Sequence, residues 1–185
     1  LLDAASSNAV RPQQSNDTAV TAICYSHDGA LFASGSWNTK VSLCDAASGE
    51  IIYSLSGHSH KISGLAFSPD NRLLASASWD GDVRLWDTRN GKLIKVLGHA
   101  EQRLYQVSFS PNGKLLLVSG EDGLLRLWDL NKLTSIWHRL WGSRTYTILK
   151  GHRGTISSIA FTPDGRFIVS GSGDGTVRIW GQAAF

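Results

Sequence analysis

Methionine is absent from the 185 residues, and charged side chains are few. Asp, Glu, Lys and Arg make up 18% of the chain, below the roughly 25% of a typical soluble domain. No stretch approaches the run of about 18 apolar residues that a membrane-spanning helix needs, and no basic start leads into an apolar run as in a signal peptide. We therefore expect no membrane contact. Because no start methionine is present, we also expect a processed chain or a segment of a longer protein.

Cysteine is scarce as well, and the net positive charge is small. Cys24 and Cys44 are too few for a disulfide framework. Both lie in apolar, strand-like stretches, which predicts buried free thiols and an intracellular, cytoplasmic or nuclear, location. The net charge of +3 is scattered along the chain, without the basic stripe that nucleic-acid binding needs. We therefore do not expect nucleic acid as a partner.

Motifs for catalysis are also missing. The chain contains neither a glycine-rich phosphate loop nor a nucleophile motif. His58 and His60 lie close in sequence but lack the further ligands that a metal site requires. We expect no cofactor, no bound metal and no enzyme activity.

The sequence does have an internal repeat with a period of 42 residues. The tripeptides Leu43-Cys44-Asp45, Leu85-Trp86-Asp87 and Leu127-Trp128-Asp129 are each 42 residues apart, and turn signals recur in phase with them. A fourth copy ends in Ile179-Trp180-Gly181 after a longer offset of 52. A period between about 20 and 50 residues is typical of stacked repeat architectures.

Each copy has the pattern of short strands joined by tight turns. In the last copy, Ile156–Phe161, Arg166–Ser172 and Thr176–Trp180 are rich in β-branched and aromatic residues, and Asp174-Gly175 is a hairpin signal. Stretches between copies, such as Ile51–Leu55, supply a fourth strand. Four short strands with their turns need about 40 residues, the size of one propeller blade.

Two dipeptides mark the repeats. Gly-His occurs at residues 57–58, 98–99 and 151–152, and Trp-Asp occurs at 86–87 and 128–129. In these motifs the chain resembles the WD-repeat β-propeller family, and the resemblance covers nearly all of it. It implies an all-β fold, a β-propeller of four-stranded antiparallel blades. Its four WD repeats would form a partial ring or half of an eight-bladed ring.

The resemblance also implies a side-chain network of His, Ser or Thr, Asp and Trp in each blade. The positions that match are His58, Ser76, Asp80 and Trp86 in copy two and His152, Ser170, Asp174 and Trp180 in copy four. Copy three has His99, Asp122 and Trp128, but Val118 stands at the serine position. Copy one is degenerate, with Asn16, Ser34, Asn38 and Cys44. Because the set recurs with the repeat, we interpret it as structural and not as a hydrolytic triad.

The repeat limits divide the chain into five parts. Residues 1–16 lead in from the end of a preceding repeat, with the outer strand at 8–14. WD repeat 1, the degenerate copy, covers 17–57; repeats 2, 3 and 4 cover 58–98, 99–150 and 151–185.

Three arrangements of the blades fit this order, in which an outer strand precedes the inner strands of each copy: a segment of a longer propeller chain, two copies in an eight-bladed ring, or four blades closing alone. The outer strand could pair with the last blade, the usual closure in this family.

Repeat 3 carries an insertion at 131–144. Leu133, Ile136, Trp137, Leu140 and Trp141 share one helical face. This spacing predicts a short amphipathic helix, which either packs back onto the propeller or docks another chain. Trp137 and Trp141 are the partner-binding candidates of this segment.

Further candidates lie in the loops of one face. Trp37 and Trp79 immediately precede turn residues, and Glu121 holds the equivalent position in copy three. In the family this position lies on the face that often meets partner proteins, and tryptophan is enriched at binding hot spots. Three cations near the starts of the first strands are expected to add positive charge to the same face: Lys61, Arg103 and Arg153. An acidic peptide is our hypothesis for the ligand; the alternative is that each ring folds over its own or a neighbouring turn.

These features predict a non-catalytic protein–protein interaction scaffold that presents its loop faces to partner proteins or peptides. Self-association to complete the ring is a further expected interaction. The alternative is a regulatory or sensor propeller segment of a larger multidomain protein whose activity lies elsewhere.

Overall fold

The computed structural model describes residues 18–133 and 146–181, except for the side chains of His99 and Leu133. This part of the chain forms four blades. Blade 1 consists of β1 (Val20–Tyr25), β2 (Leu31–Ser36), β3 (Val41–Asp45) and β4 (Ile51–Leu55). Blade 2 consists of β5 (Ile62–Phe67), β6 (Leu73–Ser78), β7 (Asp82–Asp87) and β8 (Leu93–His99). Blade 3 consists of β9 (Leu104–Phe109), β10 (Leu115–Gly120), β11 (Leu124–Asp129) and β12 (Tyr146–Lys150), and blade 4 of β13 (Ile156–Phe161), β14 (Phe167–Ser172) and β15 (Val177–Gly181).

Every blade is an antiparallel meander in which strands adjacent in sequence are adjacent in the sheet. Blades 1 to 3 have four strands, and blade 4 has three within the described ranges. The predicted all-β propeller fold is confirmed, as a partial propeller. The predicted strand at 8–14 lies outside the described residues. So does most of the insertion at 131–144, including Trp137 and Trp141; the helical turn α1 (Leu130–Leu133) covers only its start.

A short polar motif shapes the turn between the first two strands of each blade. Ser26 Oγ donates to Asp28 Oδ1 over 2.6 Å, and the same carboxylate oxygen accepts from the backbone N–H of Ala30 at 3.0 Å. The residue between them in the turn, Gly29, has a φ of 72°, which glycine adopts without strain. Equivalent pairs close this turn in the other blades: Ser68 with Asp70, Ser110 with Asn112, and Thr162 with Asp164.

Successive blades pack against each other through their first strands. Strand β1 lies against β5, β5 against β9, and β9 against β13. Three apolar clusters fill the spaces between neighbouring blades, and their buried members include Leu43 between blades 1 and 2, Leu116 between blades 2 and 3, and Leu117 between blades 3 and 4. Side-chain hydroxyls also cross these interfaces, from Thr21 to the Ile62 carbonyl and from Ser63 to the Leu104 carbonyl. Each blade is thus stabilised by its neighbours, as expected for a repeat protein.

The two ends of the arc expose surfaces that the inner blades bury. Val20 is 53% exposed, whereas its repeat equivalents Ile62, Leu104 and Ile156 are at most 1% exposed. At the other end, Val177 and Ile179 are each 71% exposed. Their equivalents on the inner blades are almost fully buried: Val83, Leu85, Leu125 and Leu127. No helix in the described part of the chain is long and apolar enough to cross a membrane.

Candidate functional site

The four polar network residues of blade 2 lie in one chain of hydrogen bonds. His58 Nδ1 is 2.9 Å from Asp80 Oδ2, and His58 Nε2 is 2.8 Å from Ser76 Oγ. The indole N–H of Trp86 donates to the same Ser76 Oγ over 2.9 Å. Repeat spacing explains the geometry: Ser76 and Trp86 are on the adjacent strands β6 and β7, and Asp80 is in the turn between these strands.

The donor and acceptor capacities of the side chains determine which group donates in each hydrogen bond of the network. An indole N–H can only donate and an ionised carboxylate can only accept. In the neutral histidine tautomer with a proton on Nδ1, His58 therefore donates to Asp80 and accepts the hydroxyl proton of Ser76. Asp80 also accepts the backbone N–H groups of Ser59 and Asp82, each at 2.9 Å. The network thus ties the loop before β5 to the turn after β6.

Blade 4 repeats the same arrangement. His152 Nδ1 lies 3.0 Å from Asp174 Oδ2, and His152 Nε2 lies 2.8 Å from Ser170 Oγ, which accepts from Trp180 Nε1 at 2.9 Å. One addition is Thr176, whose hydroxyl donates to Asp174. This hydrogen bond is the leading cause of the lowered pKa of the Asp174 carboxyl.

Blade 3 uses a different partner for its aspartate. Arg126 Nη1 donates to Asp122 Oδ1 at 3.2 Å, and Arg126 Nη2 binds the other carboxylate oxygen. The indole N–H of Trp128 is buried without an acceptor among the described residues, because Val118 stands at the serine position. The side chain of His99 lies outside the described part.

Blade 1 has a local hydrogen-bonded pair in the corresponding turn. Ser36 Oγ donates to Asn38 Oδ1 at 2.6 Å, and that amide oxygen also accepts the backbone N–H of Lys40. Cys44 occupies the tryptophan position and is buried. Asn16 lies outside the described residues.

The Ser and His of these networks are enclosed by protein. Ser76 and Ser170 are at most 1% exposed, and His58 and His152 are at most 8% exposed. A serine nucleophile must reach its substrate, and these hydroxyls are held by an indole and an imidazole instead. Among residues 18–133 and 146–181, no three His, Cys, Asp or Glu side chains are placed to hold a metal ion.

A second group of side chains joins the loops of blades 1, 2 and 3 on one face. We call it the Trp79 cluster; it consists of Trp37, His60, Lys61, Trp79, Arg103 and Tyr105. The Trp79 ring meets the rings of Trp37 and His60 at centroid distances of 5.6 Å and that of Tyr105 at 6.1 Å. Trp37 is 47% exposed, whereas Trp79 is half-buried among its neighbours.

Two cations lie against the central ring. Lys61 Nζ is 3.5 Å from the Trp79 centroid and 4.7 Å from that of Trp37. The guanidinium carbon of Arg103 is 4.3 Å from the Trp79 centroid. Both distances are within the roughly 6 Å range of cation–π attraction. The cations and aromatic rings therefore hold one another in place.

The charge of the cluster is only partly balanced. Arg103 Nη1 lies 3.9 Å from Glu121 Oε1, which is a long ion pair. In the described part of the chain, no carboxylate lies within ion-pair distance of Lys61. Burial and the nearby charge of Arg103 lower the pKa of the Lys61 ammonium. The cluster is thus a positively charged surface with an aromatic centre.

The structure groups the loop candidates selectively. It brings Trp37, Trp79, Lys61 and Arg103 together and sets Glu121 at their edge, whereas Arg153 is exposed on blade 4 and has no described contact with the cluster. His60 and Tyr105 were missed by sequence reasoning. The contact that brings His60 to the cluster is seen in the structure: the backbone N–H of Trp79 donates to the Lys61 carbonyl, so residues flanking Lys61 lie beside the turn after β6.

Comparison with known proteins gives matches to repeat families over most of the chain. The model of the WD domain, G-beta repeat, matches residues 49–87, 91–129 and 142–181. The model of the anaphase-promoting complex subunit 4 WD40 domain matches residues 5–63.

Several curated proteins are similar over single repeats. Transcription initiation factor TFIID subunit 5 of Arabidopsis thaliana is 49% identical over 39 residues, 21% of this chain and 6% of the relative. The guanine nucleotide-binding protein subunit beta of Schizosaccharomyces pombe is 40% identical over 53 residues, 29% of this chain and 17% of the relative. Ribosome assembly protein 4 of Saccharomyces cerevisiae is 36% identical over 45 residues, 24% of this chain and 9% of the relative. The matched segments thus span less than a fifth of these relatives.

Proposed function

Because the chain belongs to the WD-repeat family, we propose that it is a non-catalytic protein–protein interaction scaffold that presents its loop faces to partner proteins or peptides. The observation that carries the proposal is the Trp79 cluster, in which a 47% exposed Trp37 and two cations surround a central indole. Two of the similar proteins are named as subunits, one of a transcription factor and one of a guanine nucleotide-binding protein. This agrees with a role in assemblies.

The physical setting of the cluster favours binding. Its side chains are carried on loops held by packed sheets, so their positions are fixed before a partner arrives, and preorganisation reduces the entropy lost on binding. Tryptophan and arginine are the residue types most enriched at energetic centres of interfaces. The alternative is that each ring only covers a neighbouring turn. This fits Trp79, which is half-buried, better than Trp37, which is exposed.

Two structural facts support the non-catalytic and intracellular parts of the proposal. The serine hydroxyls of the His-Ser-Asp networks are buried and engaged by Trp86 and Trp180. Cys24 and Cys44 are both free thiols, Cys44 buried and Cys24 only partly so. Free thiols suit a reducing, cytoplasmic or nuclear, environment.

A peptide selection tests the scaffold role. The protein is immobilised and challenged with a phage-displayed library of short random peptides, and the enriched peptides are measured by fluorescence anisotropy against wild type and Trp37→Ala. We expect enriched peptides whose affinity falls about tenfold or more in the variant, the loss of one hot-spot contact. Trp137, a second candidate from the sequence, is tested by Trp137→Ala in the same assay. Enriched peptides whose affinity is unchanged in both variants would contradict the placement of the site.

The ends of the arc favour self-association as a second interaction. Val20 on blade 1 and Val177 and Ile179 on blade 4 are exposed where inner blades bury the same positions. One copy therefore offers both surfaces that the other copy would need to complete a ring. Sedimentation equilibrium tests this: we expect a dimer for the wild type and a monomer for Val177→Asp, while a wild-type monomer at all concentrations would exclude it.

A regulatory or sensor segment of a larger protein is the alternative function. It is supported by the short share of each relative that this chain matches, between 6% and 17% for the three proteins named above. In that case the exposed blade ends would contact further blades of the same polypeptide. The same sedimentation experiment on a chain extended by its flanking sequence separates the two arrangements.

A further inference from the structure

The Trp79 cluster concentrates positive charge that the carboxylates of the described residues neutralise only in part. Lys61 and Arg103 approach one indole ring to 3.5 and 4.3 Å. Among the described residues, the one carboxylate within ion-pair distance of these cations is that of Glu121, 3.9 Å from Arg103. Two like charges held on a partly buried ring repel each other, and desolvation also opposes the charge of Lys61. An added anion would relieve both effects.

The surroundings select the kind of anion. Lys61 and Arg103 together with Glu121 carry a net charge of +1. One carboxylate neutralises this charge, whereas a phosphate, with nearly two negative charges, overcompensates it. Binding of single-stranded nucleic acid uses several ring faces on which successive bases stack, whereas Lys61 and Arg103 already cover the Trp79 ring and Trp37 is the one exposed indole of the cluster. A single carboxylate therefore fits the charge better than a phosphate group or a polynucleotide.

The exposed ring of Trp37 supplies an apolar contact surface beside the two cations. Trp37 is 47% exposed and borders Lys61, whose ammonium is 4.7 Å from its centroid. His60, also exposed, lies 6.1 Å from Trp37 on the same side of the cluster. An apolar side chain can pack on this aromatic platform while a neighbouring carboxylate reaches the cations.

We propose that the Trp79 cluster binds a peptide segment in which an Asp or Glu carboxylate contacts Lys61 and Arg103 and an adjacent apolar side chain packs on Trp37. The proposal rests on the scaffold function proposed above and names the chemistry of its partner. In it, Glu121 acts as an intramolecular competitor that holds Arg103 until the ligand carboxylate replaces it.

The test uses peptides enriched on the wild-type protein by the selection described above, each paired with a synthetic twin in which Asp and Glu are replaced by Asn and Gln. We expect the twin to bind about tenfold more weakly, the effect of one charge-assisted hydrogen bond. Lys61→Gln and Arg103→Gln should each weaken the acidic peptide by a similar factor. Glu121→Gln should tighten it about two- to fivefold, since an exposed ion pair is worth up to about 1 kcal/mol.

Arg153→Gln is the matched control, because it removes the same charge from an exposed loop outside the cluster. It should leave the affinity within twofold of wild type, and thermal unfolding of every variant by circular dichroism checks that the blades remain folded. Equal weakening by Arg153→Gln would overturn the proposal in favour of nonspecific charge attraction, and no tightening by Glu121→Gln would overturn the competitor role of Glu121.

The remaining outcomes separate the two proposals. Enriched peptides that need Trp37 but contain no acidic residue would overturn the carboxylate proposal and leave the scaffold function standing. An empty selection would overturn both. Stronger binding of phosphoserine twins, or of an oligouridine RNA probe, would also overturn the carboxylate proposal and identify phosphate as the preferred anion.

Discussion

Trp86 and Ser76 are joined by a buried hydrogen bond, 2.9 Å from the indole nitrogen to Oγ. In the next blade Trp128 is buried to the same degree, at 1% exposed against 3% for Trp86, but its N–H has no described acceptor because Val118 replaces the serine. One protein therefore contains the same tryptophan with and without its hydrogen bond. Comparing the stability lost by substitution at Trp86 and at Trp128 therefore measures the energetic contribution of that hydrogen bond.

Trp86→Phe should lower the free energy of unfolding by about 1–2 kcal/mol more than Trp128→Phe. Both variants lose similar ring area, but only Trp86→Phe removes a hydrogen bond and leaves Ser76 less satisfied. Urea unfolding followed by far-UV circular dichroism measures the two losses, and equal urea m-values check that the unfolding unit is unchanged. Equal losses would mean that the network hydrogen bond contributes nothing to stability.

The network aspartates make stability depend on pH in the acid range. At Asp80, burial raises the pKa, but hydrogen bonds from His58 and from backbone N–H groups outweigh it and lower the pKa overall. At Asp174 the hydroxyl of Thr176 is the leading cause of the lowered pKa. Because a folded-state pKa below the unfolded value of about 3.9 favours the ionised form, the stabilisation is full above that pH and is lost as the pH falls toward the folded-state pKa.

Unfolding midpoints in urea should therefore stay level from pH 6 to about pH 5 and decrease below about pH 4. Asp80→Asn should be less stable at neutral pH and show a shallower decrease in acid, because it no longer has a proton to gain at this position. Parallel profiles of Asp80→Asn and wild type would show that this carboxylate does not couple folding to pH.

Much of the fold could be predicted from the repeat. Strands β4 and β13 have the bounds read from the sequence, Ile51–Leu55 and Ile156–Phe161, because alternation and turn residues define strand ends locally. The contacts between blades could not be read in this way. That Gly64 meets the backbone of β9 depends on how two sheets approach each other, which a 42-residue period does not specify.

The candidate site was predictable only where spacing determines it. Trp37 and Trp79 are equivalent positions, so their shared face followed from the repeat. The contact of Arg103 with a ring one blade away did not, because it depends on the rotamers of long side chains. The pairing of Asp122 with Arg126 is a similar case: losing the serine at Val118 predicted an interrupted network but not the new partner.

Gly64→Ala should destabilise the protein by about 1–3 kcal/mol, the range for overpacking a filled interface. A Cβ at this position would lie 2.8 Å from the Tyr105 carbonyl oxygen and 2.9 Å from Gln106 Cα, both backbone atoms that cannot rotate away. Thermal or urea unfolding measures the loss. Gly171→Ala is the control, since its nearest neighbour would be Ser158 Cβ at 3.9 Å, and it should change stability little. Equal effects would show that blades 2 and 3 can separate slightly at no cost.

The reactivity of the Cys24 and Cys44 thiols shows whether blade 1 opens at the end of the arc. Burial raises the pKa of Cys24 to about 12, despite backbone hydrogen bonds that lower it, and burial also raises the pKa of Cys44. Because the thiolate is the reactive form, we expect Cys24 to react with Ellman's reagent at pH 8 about a thousandfold more slowly than a free cysteine. Full reaction should occur only in urea, while Ser56→Cys, exposed in blade 1, reacts at once and calibrates the assay. Rapid modification of one native thiol would instead show that β1, whose outer face is covered by no blade of the described residues, separates from β2 without global unfolding.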